Sequence, residues 1–350
     1  MKLLQSFTKL SLVAVGSAIA LGSTLGSTAI AATLNVDQIF VFGDSLSDSG
    51  NVYGFSGNTF PPFPYFQGRF SNGPNWIDYL SQDLNVTPTP LANVLFQGAI
   101  PTQGVNYAFG GATTGPDPIT GVQNTIDPTL PGLQTQLQFF LSSLAQQPIP
   151  KANPNALYVI WAGGNDFLPS QSPFFTPFTD DQPTLNNVSF VLNSLIQAGA
   201  KNFLVANLPD LGSAPAGAAN SQTLNPLTQD YNQNLSQLLS SLGQANPDTN
   251  ILSLDINSLF KAAIVSPQYS NVTTPCVDLQ AFPPSLCSFD PAVQNSYLFW
   301  DSIHPTTVAH QQIADLALKT LSVPEPATVL GLLTIGGTGL LASRRRKRAA

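Results

Sequence analysis

The sequence is poor in charge, and poorer still in the residues from which metal and nucleotide sites are built. Charged residues make up 9% of its 350 positions, against roughly 25% in ordinary soluble domains. Glutamate occurs once, as Glu325, and histidine twice, as His304 and His310. The two cysteines are Cys276 and Cys287, in one proline-rich loop. So few candidate ligands, with no cluster around them, argue against a zinc centre, and no metal is expected. No Gly-x-x-x-x-Gly-Lys follows an apolar run, which argues against a P-loop nucleotide binder. The absence of Gly-x-Ser-x-Gly argues against the nucleophile elbow of an α/β-hydrolase.

The few basic residues lie mostly at the ends. Lys2 and Lys9 flank the start of an apolar run, and Arg344, Arg345, Arg346, Lys347 and Arg348 form a tail. The body between holds only Arg69, Lys151, Lys201, Lys261 and Lys319, against 18 aspartates. A body of roughly −13 repels polyanions, so nucleic-acid binding is not expected. Residues 1–31 have the grammar of a signal peptide. A positive start and an apolar stretch from Leu10 to Leu21 precede the small-x-small site Ala29-Ile30-Ala31. Export permits disulfides, and a bond between Cys276 and Cys287 is expected over two free thiols. At the other end, Val323-Pro324-Glu325-Pro326 precedes an apolar span at 327–342 and the basic tail at 344–348. That span is barely long enough to cross a bilayer, and its basic flank would stay on the cytoplasmic side. Segment 323–350 resembles the PEP-CTERM sorting signal of bacteria, which implies membrane anchoring, transient or retained, and processing by exosortase-type machinery at the cell surface.

The body, 32–322, has no internal repeat and reads as one domain. Short apolar runs at Ile39–Phe42, Leu157–Ala162, Phe203–Asn207 and Ile251–Leu254 predict strands, with a weaker fifth at Asn106–Ala108. Helical spacing predicts helices over Trp76–Leu84, Leu133–Leu144, Val188–Ala198, Pro226–Leu242, Ile256–Ile264 and Thr306–Leu321. This alternation predicts a parallel sheet covered on both faces, with ligands bound beyond the carboxyl ends of its strands. Long irregular segments at 54–75, 112–132, 168–184 and 267–297 carry many aromatic residues; they either receive an apolar substrate or cover the core.

Three places after predicted strands, or before the last helix, carry chemistry. Gly43-Asp44-Ser45-Leu46 puts a serine at the turn after the first strand, beside free backbone N–H groups that suit an oxyanion. Ala162-Gly163-Gly164-Asn165-Asp166 lets the backbone turn sharply and offers an amide donor. Asp301-Ser302-Ile303-His304-Pro305 supplies a carboxylate and an imidazole three residues apart, which one helical turn would set side by side. A serine nucleophile needs such a base and such an orienting acid. His310 falls inside an amphipathic helix and reads as structural.

Together these blocks resemble the SGNH hydrolases, or GDSL esterase/lipase family, over most of 39–315. Asn106-Tyr107-Ala108-Phe109-Gly110-Gly111-Ala112 looks like the family's second block. Gly68-Arg69-Phe70-Ser71-Asn72-Gly73, followed by Trp76, is similar to the branch that includes plant extracellular esterases. The resemblance implies a three-layer α/β/α, flavodoxin-like domain with a five-stranded parallel sheet. It implies Ser45 as nucleophile, with Asp301 and His304 completing a triad. It also implies an oxyanion hole of the Ser45 and Gly111 N–H groups and the Asn165 amide, Gly110 being the alternative to Gly111. The expected activity is hydrolysis of a carboxylic ester, small-molecule or lipid, through an acyl-enzyme and without a cofactor. A catalytically silent surface or matrix protein on the same fold is the alternative.

Overall fold

The computed structural model describes residues 35–169, 172–279, 281 and 285–322. The expected signal peptide (1–31) and sorting segment (323–350) lie outside the described residues. Among those described, no helix is long and apolar enough to cross a membrane.

Six strands form one parallel sheet: β1 (Ile39–Gly43), β2 (Thr89–Pro90), β3 (Val105–Asn106), β4 (Leu157–Trp161), β5 (Asn202–Ala206) and β6 (Asn250–Leu254), in the order β2-β3-β1-β4-β5-β6. The expected count was five. The additional strand is β2, two residues at the sheet edge, where Pro90 costs no ladder bond to a further neighbour. A run so short and proline-bearing has no period to read. Strand β3 also ends earlier than expected: the Gly43 N–H that would continue the ladder from β1 goes to the Gln136 side chain at 2.9 Å, and the Ala108 N–H goes to Asn106 Oδ1 at 2.9 Å.

Strand β4, Leu-Tyr-Val-Ile-Trp, is buried at all five positions, as a central strand covered on both faces must be. Its cover comes from six helices of nine or more residues: α1 (Trp76–Leu84), α2 (Leu133–Ala145), α3 (Gln182–Ala198), α4 (Ser221–Ala245), α5 (Ile256–Ile264) and α6 (Thr307–Leu321). Helices α2, α3 and α4 pack side by side, and α1 packs on α6. The α1 terminus is fixed by a capping box. Asn75 Oδ1 accepts the Asp78 N–H at 3.1 Å, and Asp78 Oδ2 accepts the Asn75 N–H at 2.9 Å.

The chain starts at β1, builds β2 and β3 on one side, then crosses to build β4, β5 and β6 on the other. Connections leaving β1 and β4 therefore diverge and open a crevice at their carboxyl ends. The Gly43–Leu46 and Ala162–Asp166 segments both emerge there.

Candidate active site

Gly43 ends β1 in a place that only glycine fits, since a Cβ there would lie 2.3 Å from the Trp161 carbonyl oxygen. The Gln136 side chain brackets this residue. Its Oε1 accepts the Gly43 N–H at 2.9 Å and its Nε2 donates to the Gly43 carbonyl at 2.8 Å. The chain then turns. Asp44 Oδ1 accepts the Leu46 N–H at 3.0 Å and the Asp44 carbonyl accepts the Ser47 N–H at 3.1 Å. Ser45 sits on that turn, 7% exposed.

Asp48 joins this turn to the second block. Its carboxylate accepts the N–H groups of Gly50, Asn51, Val52 and Gly110 at 2.6–3.2 Å. The Gly110 N–H is thereby engaged. The next residue, Gly111, has φ 75°, and among the described residues neither its N–H nor that of Ser45 has an acceptor. The third block closes from β4. Asn165 Nδ2 donates one hydrogen bond to the Ala112 carbonyl at 3.0 Å, leaving the amide its second N–H. Asp166 accepts the Thr114 N–H at 2.8 Å, the Thr114 hydroxyl, and the Thr184 hydroxyl at 2.7 Å. Burial raises the Asp44 carboxyl to about 7 and those of Asp48 and Asp166 to about 6.

His304 Nε2 lies 2.6 Å from Ser45 Oγ, across 259 residues of chain. On its other side, Nδ1 lies 2.7 Å from Asp301 Oδ2 and 2.9 Å from Oδ1. A helical turn does not make this pair, contrary to what the spacing suggests. Residues before a proline avoid the helical region, so α6 begins only at Thr307, and Pro305 lies ahead of it, bridged to Phe299. Asp301 Oδ1 instead accepts the N–H groups of Ile303 and His304, at 2.8 and 2.7 Å, folding the segment around its own carboxylate. Burial would raise the Asp301 carboxyl, but His304 and the two N–H donors outweigh it and hold it below the usual carboxylate range. His310, buried on α6, is pushed down to about 3 by burial, with His304 adding to the effect.

Two contributors were given no role from the sequence, although Phe70 lies in the Gly68–Gly73 block. The Tyr65 hydroxyl donates to Asp301 Oδ2 at 2.7 Å, and the Phe70 ring lies against His304 with centroids 5.1 Å apart. Both come from the irregular 54–75 segment. It is fastened by Arg69, bidentate to Asp78 at 2.7 and 3.0 Å, and by the Ser71 hydroxyl on the Pro305 carbonyl at 2.9 Å. Cys276 and Cys287 are disulfide-bonded. The bonded loop is paired to the chain just before Asp301, through Cys276 N–H on Phe299 and Val277 N–H on Trp300.

An apolar cavity opens beside Ser45. Ser45 and Asn165 lie on its wall, which is otherwise mainly apolar and includes Leu168, Leu208, Phe260 and Ile264. A hydroxyl held by a carboxylate-backed imidazole, beside unengaged N–H donors and an apolar cavity, can attack an acyl carbonyl and stabilise the resulting oxyanion.

The family model for GDSL-like lipase/acylhydrolases matches residues 39–317, and the PEP-CTERM protein-sorting motif matches 322–347. A Pseudomonas putida protein described as an uncharacterized protein in the trpE-trpG intergenic region is 33% identical over 87% of this chain. The chain spans 52% of that relative, about half its length. A GDSL esterase/lipase of Arabidopsis thaliana is 28% identical, over 81% of this chain and 87% of its own. Among solved structures, a member of the lipolytic G-D-S-L family from Veillonella parvula aligns over 81% of this chain and 96% of its own, with TM-score 0.43 and 12% identity.

Proposed function

Because the chain belongs to the GDSL-like lipase/acylhydrolase family, we propose that it is an exported serine ester hydrolase that works through an acyl-enzyme. The observation that carries this reading is the 2.6 Å approach of His304 Nε2 to Ser45 Oγ, with Asp301 at Nδ1 behind it. Ser45 Oγ attacks the ester carbonyl while His304 takes its proton. Asp301 keeps the Nδ1–H tautomer and stabilises the imidazolium. The oxyanion faces the Ser45 and Gly111 N–H groups and the second N–H of Asn165. His304 then returns the proton to the departing alkoxide, and a water activated by the same imidazole releases the acid. Gly111 is the glycine donor because the Gly110 N–H is already bonded to Asp48.

The acyl chain lies in the cavity bounded by Leu168, Leu208 and Phe260, whose apolar wall favours an aliphatic or aromatic acid over a charged one. The PEP-CTERM match supports delivery to the cell surface, with exosortase-type machinery as the processing partner. Hydrolysis of an ester series of increasing acyl length by the purified protein tests this reading. Turnover should rise as the chain fills the cavity and fall once it exceeds it. Indifference to acyl length would remove the cavity from the account, and no ester hydrolysis at all would remove the activity.

A further inference from the structure

Asp301 is held at both ends. Oδ1 takes two backbone N–H groups of its own turn, from Ile303 and His304. Oδ2 takes the His304 Nδ1–H and, among the described residues, one other donor, the Tyr65 hydroxyl at 2.7 Å, from a segment 236 residues away. The carboxylate is only 5% exposed, so water cannot readily replace a missing donor. The Tyr65 ring is itself fixed. It meets Trp300 edge-on at 6.4 Å and Phe70 at 6.3 Å, and Phe70 in turn lies against the His304 imidazole. Its backbone N–H is bonded to the Pro62 carbonyl at 3.0 Å. Burial and the neighbouring Asp301 charge both raise the phenol, so it stays protonated and only donates.

We propose that Tyr65 is a positioning residue of the acid–base pair: its hydroxyl fixes the rotation of the Asp301 carboxylate and draws charge from Oδ2. This rests on the proposed role of Asp301 and His304. A carboxylate that shares its charge with a phenol attracts the imidazolium less. Tyr65 therefore sets how strongly Asp301 holds the His304 Nδ1–H, as well as where the ring points. The other ionisable groups bearing on His304 are Asp301 itself, the buried Asp44 behind the nucleophile and the buried His310 on α6. Of these, only Asp301 bonds to the phenol oxygen that the variant removes. Tyr65 is not on the wall of the apolar cavity, so its effect should fall on turnover rather than on substrate binding.

The test is Tyr65→Phe in the full chain, which keeps the ring contacts and deletes only the donor. With two histidines in the sequence, imidazole NMR of histidine-labelled protein follows His304 directly and does not depend on knowing the substrate. The His304 Nδ1-proton resonance should shift in the Tyr65→Phe protein, because the carboxylate that holds that proton has lost a donor. With an ester substrate, kcat should fall about threefold to tenfold with KM unchanged. Tyr65→Leu, which also loses the ring contacts, should lower thermal stability in addition. An unmoved His304 Nδ1-proton resonance in a folded Tyr65→Phe protein would overturn the proposal, leaving Tyr65 a loop staple. Failure of the hydrolase reading is separate: it would appear as the absence of activity in the parent protein, with the NMR result still deciding the role of Tyr65.

Discussion

Asp166 holds Thr114 twice, accepting its backbone N–H at 2.8 Å and its hydroxyl, and thereby ties the chain after β4 to the chain carrying Gly111. The carboxylate also takes the Thr184 hydroxyl, so three buried donors converge on one side chain. The aspartate that follows Asn165 thus has a mechanical role: it holds two donors of the proposed oxyanion hole in register.

Asp166→Ala leaves those donors without an acceptor in a buried site. A loss of about 2–4 kcal/mol in stability is expected, from the cost of orphaning buried polar groups. Turnover should fall more than the loss of folded protein explains, because the 111–114 segment loses its anchor. Chemical denaturation together with kcat per folded molecule measures both; an unchanged kcat would show that the anchor does not matter to the site.

Asn165→Ala removes a donor without disturbing that anchor. Turnover should drop by about 10²–10³, the usual consequence of losing one oxyanion donor, while KM stays near its parent value. Steady-state kinetics on one ester suffices. A rise in KM with kcat unchanged would move Asn165 from stabilising the transition state to binding the substrate.

His310 is a buried imidazole whose Nδ1 has no hydrogen-bond partner among the described residues. Its folded-state pKa, near 3, lies below the ordinary value of 6.5. Protonation is thus disfavoured by folding. The contribution to stability is complete above pH 6.5 and is lost as pH falls toward 3. Between pH 7 and pH 5 this amounts to about 2 kcal/mol. His310→Leu should remove that dependence, lose little at pH 7 and retain ester hydrolysis. Denaturation midpoints of parent and variant at the two pH values give the comparison. A variant as acid-sensitive as the parent would place the dependence elsewhere.

How much of this was legible in the sequence depended on whether the deciding interaction is local. Leu157–Trp161, Trp76–Leu84 and Ile256–Ile264 stand out because their apolar patterns are unbroken, and they form β4, α1 and α5. Helix α3 begins six residues ahead of Val188, in the polar stretch Gln-Pro-Thr-Leu-Asn-Asn, where no apolar stripe marks a face. Strand β2 has two residues and a proline, and only its neighbour defines it. Ser45, Asn165, Asp301 and His304 each lie in a short block whose chemistry can be read locally, whereas Gly111 enters only through the family resemblance of 106–112. Tyr65 and Gln136 do not stand out, because each acts on a partner 236 or 93 residues away, and nothing in a tyrosine within Pro-Tyr-Phe, or a glutamine within a helix, points to that partner.

The disulfide secures the same end of the site from outside. Cys276 and Cys287 are 11 residues apart, and the loop they close is hydrogen-bonded to Phe299 and Trp300, directly before Asp301. Reduction should lower stability by about 2–3 kcal/mol, the entropy of so short a loop, and activity should decline as the Asp301 turn loosens. Melting curves with and without reductant, with thiol titration of the unreduced protein, check this. Two titratable thiols in the unreduced native protein would refute the bond.

The most direct test of the central claim is covalent capture of the nucleophile. A fluorophosphonate probe phosphonylates only a serine that a neighbouring base activates. Intact-mass analysis should show a single adduct on the parent protein, and peptide mapping should place it on Ser45. The Ser45→Ala protein should carry none, and His304→Ala should label far more slowly. An adduct on another serine, or none on a folded parent protein that still hydrolyses esters, would contradict the assignment of Ser45.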